Sequence, residues 1–432
     1  MKRFSFHKGT VFTLLGILCL FASGLRHSEL IDQRKEYNLQ QVPPEKTTPL
    51  VTLTTVAFGG FRGLVADALW VRASKMQESG DYFEMVQLAN WITQLEPRVP
   101  EVWSFQAWNL AYNISVLFPD EEDRWRWVAH GIDLLTKEGL LHNPNSSDLH
   151  WDIGWMYQHK IGMEFDLAHL YYKQRLAEGM EKVLPTGTLP LQPLSIEAKR
   201  ILSSQFSLET SVMRQLENSF GPLDWRLPAT HSLYWSTKGL SYPTSDFGGK
   251  KLTRMKFQSL SVLMQNGNLL HDTETGYMMT LPRKDLIPVI NQEYAQHLEG
   301  KPENSYLVKS YENFLYQALV LYAESGQLSD ALELYTGLAA LDETLQPGRV
   351  NFQVFVQNLL TQPPETLRRS QAMTRIVTLL QKSKDPEISE VRSRGIAQMA
   401  RQTHRLYQES RQTEDHLKRT GLPPFEWMMG NL

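Results

Sequence analysis

Residues 312–341 read ENFLYQALVLYAESGQLSDALELYTGLAAL, and the spacing of their small and aromatic residues decides the fold. Counted from Glu312, Tyr322 falls at position 11, Gly326 at 15, Ala331 at 20 and Tyr335 at 24. Apolar residues recur at helical spacing on both sides of Gly326, which predicts two amphipathic helices joined by a tight turn. Two antiparallel helices pack closely only where small residues meet large ones, and a glycine frees the backbone between them.

The same spacing returns upstream. In ADALWVRASKMQESGDYFEMVQLANWITQLEP, which begins at Ala66, Ala73 stands at position 8, Gly80 at 15, Tyr82 at 17 and Pro97 at 32. Pro97 stops the second helix, since proline cannot continue it. A new unit from Pro100 places Trp103 at position 4 and Ala107 at 8, so register holds across the boundary. A third unit contains LHWDIGWMYQHKIG, with Ile153, Gly154 and Tyr157 at positions 7, 8 and 11, then Ala168 and Tyr172 in a second helix after a longer turn. Self-similarity at about 34 residues signals stacked helix pairs that bury a core only by stacking.

These residues resemble the tetratricopeptide repeat superfamily, and the resemblance covers roughly half the chain. It implies an all-α fold, a right-handed superhelix of helical hairpins used for protein binding. Departures from the pattern are Arg72 at a position usually held by a large apolar residue, Leu319 where a small one is expected, and a second unit stretched by NISVLFPDEEDRW. In such a hairpin, first-helix positions 2, 5, 9 and 12 line the concave groove. Carried onto this chain, the resemblance nominates Asp67, Trp70, Ser74 and Gln77 in the first unit, Trp108 in the second, Trp151, Trp155 and Gln158 in the third, and Asn313 and Tyr316 in the last. Half of these are aromatic, and rigid aromatics dominate interface energetics. The competing reading is that the tryptophans fill gaps between divergent hairpins, since aromatic stripes are more often core than ligand site.

Ahead of the repeats, Lys2, Arg3, His7 and Lys8 precede the uncharged run VFTLLGILCLFASGL from Val11 to Leu25, after which Arg26, His27, Glu29 and Asp32 restore polarity. Basic residues before an apolar run are an export signature, and the run's length lies between a signal-peptide core and a minimal span. We read residues 1–32 as a single apolar helix that acts as an uncleaved signal-anchor; removal as a signal peptide at Ala22, Ser23 and Gly24 is the alternative. A buried helix of a cytosolic domain is the third reading. The basic end stays cytoplasmic, which places the body outside the cytoplasm, in the periplasm if the cell is a Gram-negative-type bacterium. Leu18 stands where lipidation of Cys19 would need a small residue. Residues 33–57, with Pro43, Pro44 and Pro49, read as an extended linker.

The remaining boundaries are an N-terminal helical array over 58–182, an irregular, partly helical insertion over 183–310, and a C-terminal hairpin with amphipathic helices over 311–432. Within the insertion, GPLDWRLP breaks the helices at 221–228: Asp224 is placed to cap a turn, Arg226 to pair with a carboxylate, and Trp225 to pack beneath. Residues 269–283, LLHDTETGYMMTLPR, alternate turn and apolar residues as a small β-hairpin does.

Composition narrows the chemistry. A net charge of -3 over 432 residues lacks the basic footprint of nucleic-acid binding. The single cysteine lies in the N-terminal run, which leaves the body without a disulfide, a thiolate nucleophile or a zinc-thiolate site. No phosphate loop, dinucleotide fingerprint, zincin helix, nucleophile elbow or EF-hand loop occurs. The cluster GGFRG at Gly59–Gly63 reads as close helix packing. His142, His150, His159 and His169 include no pair one helical turn apart, so no metal or cofactor is expected. Asp120, Glu121, Glu122 and Asp123 stand where a helix begins and serve its dipole. Arg392, Arg394, Arg401, Arg405 and Arg411, interleaved with acids, read as a solvated face.

The function expected from these readings is a membrane-tethered, extracytoplasmic scaffold that holds a protein or peptide partner, without catalysis, in an envelope, secretion or transport complex. A module binding an envelope polymer or carbohydrate is the first alternative. An enzyme with its site in the central insertion, built from Asp224, Arg226 and His231, is the second.

Overall fold

The computed structural model describes residue 16 and residues 62–299, 305–341 and 351–432. The N-terminal apolar run, the linker and the glycine cluster lie outside the described residues, apart from Gly16 and the last residues of that cluster. Among the described residues no helix is long and apolar enough to cross a membrane. Residues 63–432 form one compact unit, and its described residues are helical apart from one two-stranded sheet.

Three hairpins stack in order at its start. The first is α1 (Arg62–Ser79) and α2 (Tyr82–Leu95). The second is α3 (Pro100–Trp108), extended by a π turn over Asn109–Ile114, and α4 (Glu121–Asp133), extended by a π turn over Leu134–Gly139. The third is α5 (Ser147–Trp155), again widened to π over Met156–Ile161, and α6 (His169–Glu181). Their seams depend on small residues. A Cβ on Gly131 of α4 would lie 2.9 Å from the Ala107 carbonyl of α3. Ala73 and Ala107 are fully buried. Gly80, in the α1–α2 turn, has φ +81°, a conformation that costs an L-residue strain.

The next stretch is largely helical. After α7 (Ile196–Gln205) and α8 (Thr210–Phe220), α9 (Pro228–Leu240) packs along α5 and against α10 (Asp246–Asn266). Trp225, Trp235 and Tyr234 are fully buried around this contact. β1 (Asn268–His271) pairs antiparallel with β2 (Met278–Leu281), where the turn residues indicated a hairpin. Asp224 anchors it: one carboxylate oxygen accepts from Leu269 N at 2.8 Å while both oxygens pair with Arg226. Arg226 also reaches Glu181 at 2.9 Å.

α11 (Leu286–Leu298) leads to α12 (Ser305–Ser325) and α13 (Leu328–Leu341), the hairpin of the deciding sequence. Its turn glycine, Gly326, has φ +79°, and Ala331 is fully buried, as the spacing required. α14 (Phe352–Leu360), α15 (Arg369–Ser383), α16 (Glu390–Glu409), α17 (Glu414–Thr420) and α18 (Phe425–Gly430) complete the fold. The C-terminal helices return to the second and third hairpins. His169 Nε2 donates to the Arg419 carbonyl at 2.6 Å, Ser370 N donates to Glu164, and Lys418 pairs with Glu121 at 2.9 Å.

Candidate functional site

The nominated groove residues of the second and third units come together where α3 and α5 run side by side. Spacing of four residues along α5 and its π turn stacks Trp151 on Trp155 (centroids 5.3 Å) and Trp155 on His159 (4.7 Å), both pairs nearly parallel. Phe165 follows against His159 at 4.3 Å. The other end of the row is closed by the Lys251 ammonium, 4.4 Å over the Trp151 ring and paired with Asp148. Across from it, Trp108 stacks on Tyr112 at 4.7 Å, and the Tyr112 hydroxyl is 3.3 Å from His159 Nδ1.

A buried carboxylate ties the two rows. Asp152 accepts from Trp108 Nε1 at 3.0 Å and from the Ser104 hydroxyl, so both oxygens are engaged from α3. Burial pushes its carboxyl up to about 6, against the counter-pull of those hydrogen bonds and of Lys251. Burial, assisted by Lys160, lowers His159 and keeps it neutral at pH 7.

Below the rows lies a buried ion cluster. Lys160 Nζ meets Asp166 Oδ2 at 2.6 Å, and Arg124 meets Asp166 Oδ1 at 3.2 Å. Burial would raise Asp166, but Lys160, the Ala168 amide and Arg124 hold it below the usual carboxylate range. Burial lowers Lys160, and the pair stays ionised because each charge has its partner within hydrogen-bond reach. Two of the three π turns supply Tyr112, His159 and Lys160; such insertions recur at functional sites because they re-aim side chains from a regular helix.

The other nominated residues sit apart from these rows. Asp67, Ser74 and Gln77 are exposed on α1, while Trp70 is half-buried with its ring edge-on to Phe105 of α3 at 4.7 Å. Gln158 is half-buried with its side-chain oxygen unpartnered, as is the indole nitrogen of Trp155. Asn313 and Tyr316 are exposed on α12, and the Tyr316 ring meets Phe355 of α14. Ser104, Tyr112, Asp152, His159, Phe165 and Lys251 escaped the sequence reading. His159 had a signal, its distance of four from Trp155; Asp152 and Lys251 had none, because their partners come from other helices.

The central residues considered for catalysis are structural in their contacts. His231 is fully buried, its Nε2 bonded to the Trp225 carbonyl and its ring stacked on Tyr157 at 4.5 Å. Burial lowers it to about 4. Two clefts lie elsewhere: an apolar one of about 420 Å³ between Leu328, Phe352, Val356 and Leu360, and a polar one of about 350 Å³ between Pro100, Asn143, Ser146, Asp148 and Pro243. The aromatic rows border neither. The candidate site is placed at the rows because they bring together the register positions Trp108, Trp151 and Trp155, none of which lines either cleft. Among the described residues no three potential ligands gather as a metal site. Asp120 accepts from the amides of Glu122 and Asp123, which explains that acidic run as a helix cap.

No protein-family model matches the chain, and no curated protein is similar to it.

Proposed function

We propose that the chain is a membrane-tethered, extracytoplasmic scaffold whose stacked hairpins form a tetratricopeptide-like right-handed superhelix, and that the face carried by α1, α3 and α5 holds a protein or peptide partner. The observation that carries this reading is the alignment of Trp151, Trp155 and His159 on one first helix beside Trp108 and Tyr112 on the preceding one. Glycines of positive φ at two interhelix turns support the repeat register. Large aromatic side chains held rigid before binding lose little entropy when a partner docks.

The stacking also separates the protein reading from the carbohydrate one. Sugars pack on open ring faces, yet both faces of Trp155 are covered, by Trp151 and by His159. What remains are the edges of the stacked rings, which suit packing against the side chains of a peptide.

The test is purification of the tagged full-length protein from gently solubilised membranes beside a variant with Trp151→Ala and Trp155→Ala. Both residues are half-buried, so retention of the fold by the variant is verified by circular dichroism. A stoichiometric protein that accompanies the wild type and is lost from the variant is the expected result. A partner retained by the variant, or no protein partner at all, refutes the groove reading.

A further inference from the structure

The α1–α2, α3–α4 and α5–α6 turns all carry exposed apolar side chains at one end of the hairpin stack. Phe83 opens α2 and is 53% exposed; its ring meets Phe118 at 6.3 Å. Val116 and Leu117, at the end of α3's extension, are 45% and 50% exposed. Met163, Phe165 and Leu167, between α5 and α6, are exposed to a similar degree.

Arg124 joins the last two turns. Its guanidinium donates to the Phe118 carbonyl at 2.6 Å and the Val116 carbonyl at 3.4 Å, and it pairs with Asp166, the residue between Phe165 and Leu167. Asp166 is held from beneath by Lys160 and caps the Ala168 amide at 2.9 Å. The turns are therefore fixed by buried ionic bonds, and their apolar side chains cannot fold inward without breaking them. The opposite end of the stack is polar. There the Pro97 carbonyl accepts from Trp103 and Asn143, and Asn143, Asn145, Ser146 and Asp148 line the polar cleft, with Leu141 and Val99 as isolated exposed apolar residues. Isolated apolar side chains on a surface are ordinary, whereas several on neighbouring rigid turns mark a contact surface.

The geometry points to this turn edge as a surface that rests on a lipid bilayer, with Leu117 and Phe165 among its anchors. The inference rests on the tether of the proposed function, because the uncharged run Val11–Leu25 supplies the bilayer. Residues 26–61 extend at most on the order of 120 Å, so the first helix is always within reach of the membrane that holds that run. A row of protruding turns fits a flat apolar layer rather than a groove in a protein, and aromatic and aliphatic side chains at interfacial depth bind in proportion to the area they bury. Asp120, Glu121, Glu122 and Asp123 begin three residues after Leu117, which favours neutral headgroups over anionic ones.

The experiment uses the full chain with Cys19→Ser, reconstituted into phosphatidylcholine vesicles and carrying one fluorophore at Leu117→Cys, Phe165→Cys or, as a reference, Val391→Cys. Val391 is 83% exposed on α16. Nitroxide-labelled lipids are expected to quench the first two positions several-fold more than the third. Equal quenching at all three positions in vesicles that float with the protein overturns the bilayer contact and leaves the tether standing. Failure of the protein to float with vesicles removes both. Two further results also overturn it: crosslinking of Leu117→Cys to itself between copies, and protection from aqueous iodide in native membranes without lipid quenching. They assign the edge to a second copy or to a protein partner.

Discussion

Trp108 Nε1 donates a 3.0 Å hydrogen bond to Asp152 Oδ1, so the first helix of one hairpin is fastened to the first helix of the next through a carboxylate that is 7% exposed. An acid placed there spends its hydrogen-bonding capacity on the seam, with Ser104 as its second donor. Its protonation then reports on the state of the groove.

The Asp152 carboxyl is pushed up to about 6 by burial, against an ordinary value of 3.8. Between these values the folded chain holds a proton that the unfolded chain has lost, so this group's contribution to stability falls as pH rises through the window and is lowest above it. Asp152→Asn removes that component. In thermal unfolding followed by circular dichroism, the stability of the variant relative to the wild type should therefore rise from about pH 4 to about pH 6. Identical slopes would contradict the assignment.

Lys160 is fully buried against Asp166. Lys160→Met leaves the buried carboxylate with Arg124 as its sole cationic partner and should cost about 3–5 kcal/mol in urea unfolding, because an under-compensated buried charge outweighs the lost attraction. Lys160→Met with Asp166→Leu should cost less than the sum of the two single changes, and an additive result would show that the pair is uncoupled.

Gly80 and Gly395 provide an opposed pair. Each has open space where a Cβ would sit, but Gly80 is at φ +81° and Gly395 lies inside α16. Gly80→Ala should destabilise by about 1 kcal/mol through backbone strain, and Gly395→Ala should stabilise by about 0.5–1 kcal/mol through helix propensity. Denaturant midpoints of the two variants should move in opposite directions.

Asp224 receives four hydrogen bonds, three from Arg226 and one from Leu269 N. Asp224→Ala should lower stability by about 3–5 kcal/mol, since the partly buried Arg226 then keeps only Glu181 as a carboxylate partner. Hydrogen exchange should accelerate first in β1, whose amide loses its acceptor; protection of β1 at wild-type level would refute the anchoring role.

The local features of the fold were legible because they depend on neighbours in sequence. Gly80 and Gly326 marked turns that need positive φ, and Ala73, Ala107 and Ala331 marked seams that only small residues fit. The acidic run at Asp120 was readable as a cap for the same reason. GPLDWRLP also read correctly at short range: Trp225 is buried, and Arg226 pairs with Asp224 two residues away.

What the spacing could not convey is which faces meet. The stretch 183–310 read as an irregular, partly helical insertion because prolines and glycines punctuate it, and the spacing did not say that α9 and α10 within it pack on the third hairpin. A hydrophobic period identifies a buried face and is silent about the surface that covers it. The aromatic positions were nominated as groove residues and stack on neighbours four positions away, but the fastening of Trp108 to Asp152 and the closure of the row by Lys251 join residues 44 and 100 positions apart.

The sequence by itself determined the helices, their turns and the small residues that let them approach, because propensity, capping and backbone strain act over a few residues. Only the tertiary structure decided that Lys251 closes the aromatic row, that Asp152 is sealed between two helices, and that three separate turns place their apolar side chains along one edge. Those are properties of packed surfaces, and burial and charge pairing become defined only once distant segments share the same space.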